Sequence, residues 1–283
     1  MKTTLISVAE LAALAPSDVL IVDCRHDLAD AGKGERDYHA EHIPGAVFAS
    51  LDRDLSDLSL IPQGLGRHPL PAEEAFSAAL GRWGWRPGLQ VACYDAGNGA
   101  LAAARLWWLL RLCGVNEVAV LDGGCAAWKA ASQRVSQDIP QPAPTSVSLH
   151  YDASQVLIDH TAVAHLQHDL LLDARATPRY LGEVEPLDRA AGHVPGAANR
   201  PFSDNLQADG HFKSAAELQR EFQAVIGTHP PKQVVHMCGS GVTACHNLLA
   251  MEHAGLTGSR LYAPSWSGWV SDPARPIATG SGH

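Results

Sequence analysis

The sequence predicts an α/β protein made of two tandem domains, each a mostly parallel sheet with helices on both faces. Three observations carry that expectation. Short apolar runs without alternation, such as Val19-Leu20-Ile21-Val22, Val118-Ala119-Val120-Leu121 and Val234-Val235-His236-Met237, have the pattern of strands buried on both faces. Between them lie longer stretches read as amphipathic helices, among them Leu101 to Leu112 and Ala244 to Ala254. The third observation is an internal duplication offset by roughly half of the 283 residues.

Taken in order, Ser7 and Glu10 have the spacing of a capping box that opens a short helix. The apolar start around Leu5 and Ile6 is broken by Glu10 and has no cleavage-like region, so it reads as part of the fold and not as a leader. The strand Val19 to Arg25, closing on Asp23 and Arg25, is echoed by Leu170 to Arg175, closing on Asp173 and Arg175. Each is followed by a turn, His42-Ile43-Pro44-Gly45-Ala46 in one half and His193-Val194-Pro195-Gly196-Ala197 in the other. Gln90 to Asp95 then matches Gln233 to Cys238, and each runs into a glycine-containing loop and a helical segment. The last strands, Val118 to Leu121 and Arg260 to Tyr262, lead to Trp128 and Trp269. Pro140, Pro142 and Pro144 suit a stiff extended connector. The expected division is therefore a domain over 1–132, a linker over 133–148 and a second domain over 149–283, with a ligand site in or near the cleft between halves. The terminal Gly280-Ser281-Gly282-His283 carries no structural signal and reads as a disordered end.

Composition narrows the class. Charged residues make up 18% and hydrophobic ones 46%, which is ordinary for a soluble globular chain, and no stretch is apolar for long enough to span a bilayer. A formal net charge of −9 argues against a general nucleic-acid binder, so an anionic substrate must be drawn by a local site. The six cysteines form no C-x-x-C pair and no zinc-like spacing with histidine. Buried free thiols in a reducing, cytoplasmic compartment are expected, with no metal and no cofactor. Trp107 and Trp108 read as core, Trp266 and Trp269 as packing more than substrate stacking, and Gly123-Gly124 as too short a signal for a phosphate or nucleotide site.

Chemistry points to Cys238-Gly239-Ser240-Gly241-Val242-Thr243, where an apolar strand ends and a helix begins. A cysteine so placed has loop N–H groups curling toward its sulfur and a helix N-terminus aimed at it, which favours thiolate over thiol. In the first half the aligned position is Asp95, with Gly97, Asn98 and Gly99 set against Ser240, Gly241 and Val242; one nucleophile is kept and the other lost. Cys245 reads as helix packing.

Together these residues resemble the tandem-domain rhodanese family of sulfurtransferases over essentially the whole chain. The Cys-Gly-Ser-Gly-Val-Thr loop looks like the 3-mercaptopyruvate branch, whereas the thiosulfate-using branch has Arg and Lys where Gly239 and Ser240 stand. The two His-(Ile/Val)-Pro-Gly-Ala turns and Ser265-Trp266-Ser267-Gly268-Trp269 support the likeness. The resemblance implies Cys238 as sulfur acceptor, Ser240 in proton handling, Arg179 as holder of the substrate carboxylate, and Asp54 and His68 completing a relay with the serine. It also implies a second arginine nine residues beyond the first, but that position is Asp188, and Arg189 beside it stands as either a displaced clamp or a solvated surface charge. Gly239, Gly241, Val242 and Thr243 would complete the substrate loop. The implied partners are a small sulfur donor and a thiol acceptor such as thioredoxin or a small thiol, or cyanide, with no nucleic acid and no membrane. Other readings are thiosulfate as donor, a silent binding module, and a phosphatase, the last opposed by Ala244 standing six residues beyond the cysteine where an oxyanion-gripping arginine is wanted.

Overall fold

The structure, a computed structural model, describes residues 1–281. Two compact units are present: one comprises Met1–Asp57, Leu70–Asp152 and Ala208–Phe212, the other Leu58–Pro69, Ala153–Gln207 and Lys213–His283.

The first unit holds strands β1 (Leu5–Ile6), β2 (Val19–Asp23), β3 (Val47–Phe48), β4 (Gln90–Tyr94) and β5 (Val118–Leu121), in the order β1-β5-β4-β2-β3. The second holds β6 (Val156–Leu157), β7 (Leu170–Asp173), β8 (Ala198–Asn199), β9 (Val234–Met237) and β10 (Arg260–Tyr262), in the order β6-β10-β9-β7-β8. Every pairing is parallel, and the two orders are the same order repeated. Such sheets need helical crossovers and bury both faces, which is why the central strands β4, β5 and β9 are buried at every residue. Ser7 caps the helix Val8–Ala12 with the full capping box to Glu10.

The duplication is copied down to single hydrogen bonds. In the first unit Arg25 forks onto Asp23 with its shortest contact at 2.6 Å and reaches Glu41 O; in the second Arg175 forks onto Asp173, also at 2.6 Å, and reaches Gly192 O. The two turn histidines stack on tyrosines, His42 on Tyr38 at 4.3 Å and His193 on Tyr180 at 3.8 Å, and each Nδ1 lies 2.8 Å from that tyrosine's carbonyl.

Three expectations differ from what is found. The helices Ala103–Leu112 and Ala244–His253 are not two-faced: all but Arg111 in one, and all but Glu252 and His253 in the other, are buried. A helix that follows a central strand and is apolar nearly all round is wrapped by its surroundings instead of floating on them. The proline-rich stretch is held along the first unit, through paired bonds between His42 and Ser136 (2.9 and 2.8 Å), Thr145 N–H to Gly81 O and Tyr151 N–H to Glu73. Residues 58–69 belong with the second unit, because Gly66 passes so close to Pro264 O that a Cβ there would stand 2.4 Å from it, and His160 Nε2 meets Gly64 O at 3.0 Å. Gly280 is tied by its N–H to Leu181 O, while Gly282 and His283 lie outside the described residues.

All six cysteines are free thiols and only Cys113 is not fully buried. Trp107 and Trp108 are core residues. No helix among the described residues is long and apolar enough to cross a membrane.

One buried group in β9 sets an acid limit on stability. His236 is fully buried, its Nε2 lies 3.2 Å from Met251 Sδ, and Nδ1 has no partner among the described residues. Burial, with the nearby Arg200 charge, pushes its pKa down to about 3 from an ordinary 6.5. The unfolded chain then binds the extra proton between those values, so stability is full above pH 6.5 and falls as the pH drops toward 3, by an amount on the order of 5 kcal/mol. His236→Met should flatten this acid limb in urea titrations at pH 4 and pH 7 while changing stability at pH 7 by only about 1 kcal/mol; parallel curves for the two proteins would refute the assignment.

Candidate active site

β9 delivers Cys238 into a loop that ends where the helix Ala244–His253 starts. Two carbonyls of the loop are tied down: Trp266 N–H donates to Cys238 O and Ser267 N–H to Gly239 O, both at 2.9 Å. Gly241 takes φ +75, with Ala263 O only 2.4 Å from where a Cβ would be, so this turn admits only glycine. Val242 is buried, and Thr243 begins the helix without a side-chain cap. The N–H groups of Gly239, Ser240, Val242 and Thr243 donate to no protein acceptor among the described residues.

The N-terminal copy displays what such a loop does with an anion. Asp95 Oδ1 accepts from Gly97 N–H (3.1 Å) and Gly99 N–H (2.9 Å), and Oδ2 accepts from Leu101 N–H (2.9 Å). Burial pushes the Asp95 carboxyl up to about 6, against the downward pull of those three N–H groups. Its helix starts at Ala103, two residues later relative to Asp95 than Ala244 is to Cys238. The first copy has filled its own anion seat with a carboxylate.

Around Cys238 the second unit gathers three further groups. Ser240 Oγ lies 2.8 Å from His68 Nδ1, and both residues are buried. Arg179 donates from Nε and Nη2 to Glu185 (2.7 Å at the shortest) and from Nη2 to Asp188 (3.1 Å). Its Nη1 makes no hydrogen bond among the described residues and lies 3.5 Å from the point where Gly239 would carry a Cβ. Glu185 is buried, which opposes ionisation, but N–H groups of Leu187 and Asp188 together with Arg179 hold its carboxyl below the ordinary range.

Cys238 itself is 1% exposed.

Neither Asp54 nor Arg189 bonds to these groups among the described residues. Asp54 belongs to the first unit, where Ser50 N–H and Arg82 occupy its two carboxylate oxygens at 2.8 and 2.7 Å. Arg189 is exposed and makes no hydrogen bond or ion pair among the described residues. Trp266 and Trp269 are core, their indole N–H groups donating to Ala190 O and Pro276 O. Cys245 packs in the helix with its thiol donating to Gly241 O.

Sequence reasoning missed Arg67, which ion-pairs with Asp188, and Ser265. Ser265 is buried at φ +53, a left-handed conformation that costs a non-glycine residue about 1–2 kcal/mol. The matching position in the first copy is Gly124, at φ +55. The strained serine is explained by its hydroxyl, which accepts Cys238 N–H at 3.1 Å and donates to Tyr262 O at 3.0 Å. Comparing Gly123-Gly124 with Pro264-Ser265 across the repeat was the signal that could have exposed it.

A thiol at the mouth of a parallel strand, unspent loop N–H groups and flanking guanidinium groups define a cysteine-dependent transferase of anionic substrates. Comparison with known proteins makes the class specific. The Rhodanese-like domain model matches twice, over residues 7–131 and 158–272. The chain is 47% identical over 281 residues to the probable 3-mercaptopyruvate sulfurtransferase of Pseudomonas aeruginosa, covering 98% of both chains. It is 38% identical over 282 residues to the putative thiosulfate sulfurtransferase SseB of Mycobacterium tuberculosis, covering 98% of this chain and 97% of that one. The structure of 3-mercaptopyruvate sulfurtransferase from Leishmania major superposes with a TM-score of 0.82 at 31% identity, over 94% of this chain and 73% of that one. The chain belongs to the tandem-domain rhodanese family of sulfurtransferases.

The hydroxyl of Ser265 is testable apart from chemistry. Ser265→Ala keeps the strain and orphans Cys238 N–H, whereas Ser265→Gly orphans the N–H but releases the strain, so the glycine variant should be the more stable by about 1 kcal/mol. Both should lose sulfur-transfer rate; equal melting of the two variants would show that the φ +53 conformation stores nothing.

Proposed function

We propose that this enzyme moves sulfane sulfur from 3-mercaptopyruvate through a persulfide on Cys238 to a thiol, such as thioredoxin or a small thiol, or to cyanide. The observation that carries the reading is the convergence of guanidinium nitrogen on bare Gly239, directly beside the nucleophile. Guanidinium is permanently charged and matches a carboxylate as a fork, so Arg179 holds the donor's carboxylate while its sulfur faces Cys238.

The Cys238 thiolate attacks the donor sulfur and an S–S bond forms. The donor's C–S bond breaks, its electron pair goes to carbon, and pyruvate leaves as the enolate, which must gain a proton. Ser240 Oγ, 2.8 Å from His68 Nδ1, delivers it, and His68 resupplies the serine. The outer sulfur of the persulfide is received by the loop N–H groups, as the Asp95 carboxylate is received in the first copy. An acceptor thiolate then takes that sulfur and restores the cysteine, which completes a ping-pong cycle.

Thiosulfate is the second reading, favoured by the relative named for that donor. The absence of loop cations at Gly239 and Ser240 favours the carboxylate donor, because a doubly charged oxyanion is better served by Arg and Lys in the loop.

Incubation with 3-mercaptopyruvate should raise the intact mass by one sulfur atom, and Cys238→Ser should abolish the gain. Ser240→Ala should lower kcat by roughly 100-fold with little change in KM. A kcat/KM for thiosulfate above that for 3-mercaptopyruvate would overturn the donor assignment.

A further inference from the structure

Nine residues beyond Arg179, position 188 carries the opposite charge. Asp188 is buried to 4% side-chain exposure and faces two guanidinium groups, those of Arg179 and Arg67. An acid at this position could not bind an anion, and alone it would cancel the charge that Arg179 offers. Something must return the missing charge.

We propose that Arg67 is the second arm of the donor clamp and that Asp188 sets the spacing of the two arms. The inference rests on the donor reading given above. Arg67 pairs with Asp188 through Nη1, which leaves Nη2 without a hydrogen-bond partner among the described residues. That free nitrogen lies 3.0 Å from the Cβ position of Gly239, beside the free Nη1 of Arg179 at 3.5 Å. Two unspent N–H-bearing ends thus meet over one residue, next to the reacting sulfur, as a carboxylate with two oxygens requires.

The arm is held at its root. Arg67 N–H donates to Ser267 Oγ at 3.0 Å, in the same short helix whose Trp266 and Ser267 N–H groups fix the Cys238 loop. Gly66, at φ +89 and with Pro264 O 2.4 Å from its would-be Cβ, presses the chain onto that helix. The side chain beyond is 29% exposed against 17% for Arg179, so Arg67 is the freer of the two arms and the one positioned to admit a donor. His68, the next residue, carries the proton relay, so one short segment supplies both a binding arm and a relay group.

The test compares steady-state kinetics with 3-mercaptopyruvate and persulfide formation from inorganic polysulfide, which carries no carboxylate, in wild type, Arg67→Gln and Arg67→Gln/Asp188→Arg. Arg67→Gln should raise KM for 3-mercaptopyruvate by 10-fold or more, with kcat within about 3-fold and a clearly smaller loss in the polysulfide reaction. Returning an arginine to position 188 in the double variant should recover most of the lost affinity, which a merely structural role for Arg67 would not produce. An unchanged KM in Arg67→Gln, or equal losses with both donors, would overturn the proposal. If wild type takes sulfur from polysulfide but not from 3-mercaptopyruvate, the donor reading itself fails, an outcome distinct from a normal wild type beside an indifferent Arg67→Gln.

Discussion

An unbroken chain of alternating charges ties the scaffold of the second unit to its reactive loop. It starts at Asp173, at the end of β7, which holds Arg175 at 2.6 Å; Arg175 stands 3.5 Å from Glu185, Glu185 2.7 Å from Arg179, Arg179 3.1 Å from Asp188, and Asp188 pairs with Arg67. Each link is buried or half-buried, where an unpaired charge is costly, so every member constrains the next. Three cations balance three anions, and the guanidinium ends left over after this balance are the ones over Gly239. Arg175 also lies 4.6 Å from the Trp266 ring, which joins the chain to the helix that holds the loop carbonyls.

The two copies divide one architecture into an unreactive version and a reactive one. Asp23 with Arg25 and Asp173 with Arg175 make the same fork, and the turn histidines make the same stack, because these contacts belong to strand ends and turns that both sheets need. The copies part at the strand-to-helix loop. Asp95 spends the loop N–H groups on its own carboxylate, while Cys238 leaves them unspent; Gly124 takes a left-handed turn without strain, while Ser265 takes it with strain and holds the Cys238 amide. Strain kept at one copy and absent at the other marks where function outweighs stability.

Much of this was legible along the chain. The parallel sheets followed from unalternating apolar runs, and the repeat from paired motifs such as His42 to Ala46 and His193 to Ala197, since a motif that fixes a turn leaves its mark in consecutive residues. Cys238 and Ser240 were legible as candidates because they sit in a compact strand-end loop, and Arg179 was a candidate through the family resemblance. Arg67, Asp188 as a partner and Ser265 were not: their roles come from contacts across 121 residues between Arg67 and Asp188 and 27 between Cys238 and Ser265, and no local pattern records such pairings. The buried character of the helix Ala103–Leu112 escaped for the same reason, since Arg105 and Arg111 look alike in sequence and only packing places one inside.

The sequence by itself determined the layers, the duplication, the candidate thiol at Cys238 and the aspartate at its counterpart Asp95, because these depend on residue type and spacing along one segment. Only the tertiary structure decided which charges gather at Gly239. Electrostatic pairing acts through space, and a guanidinium brought in from residue 67 serves the loop as well as one placed at 188 would, provided folding sets it within hydrogen-bonding reach of the same point.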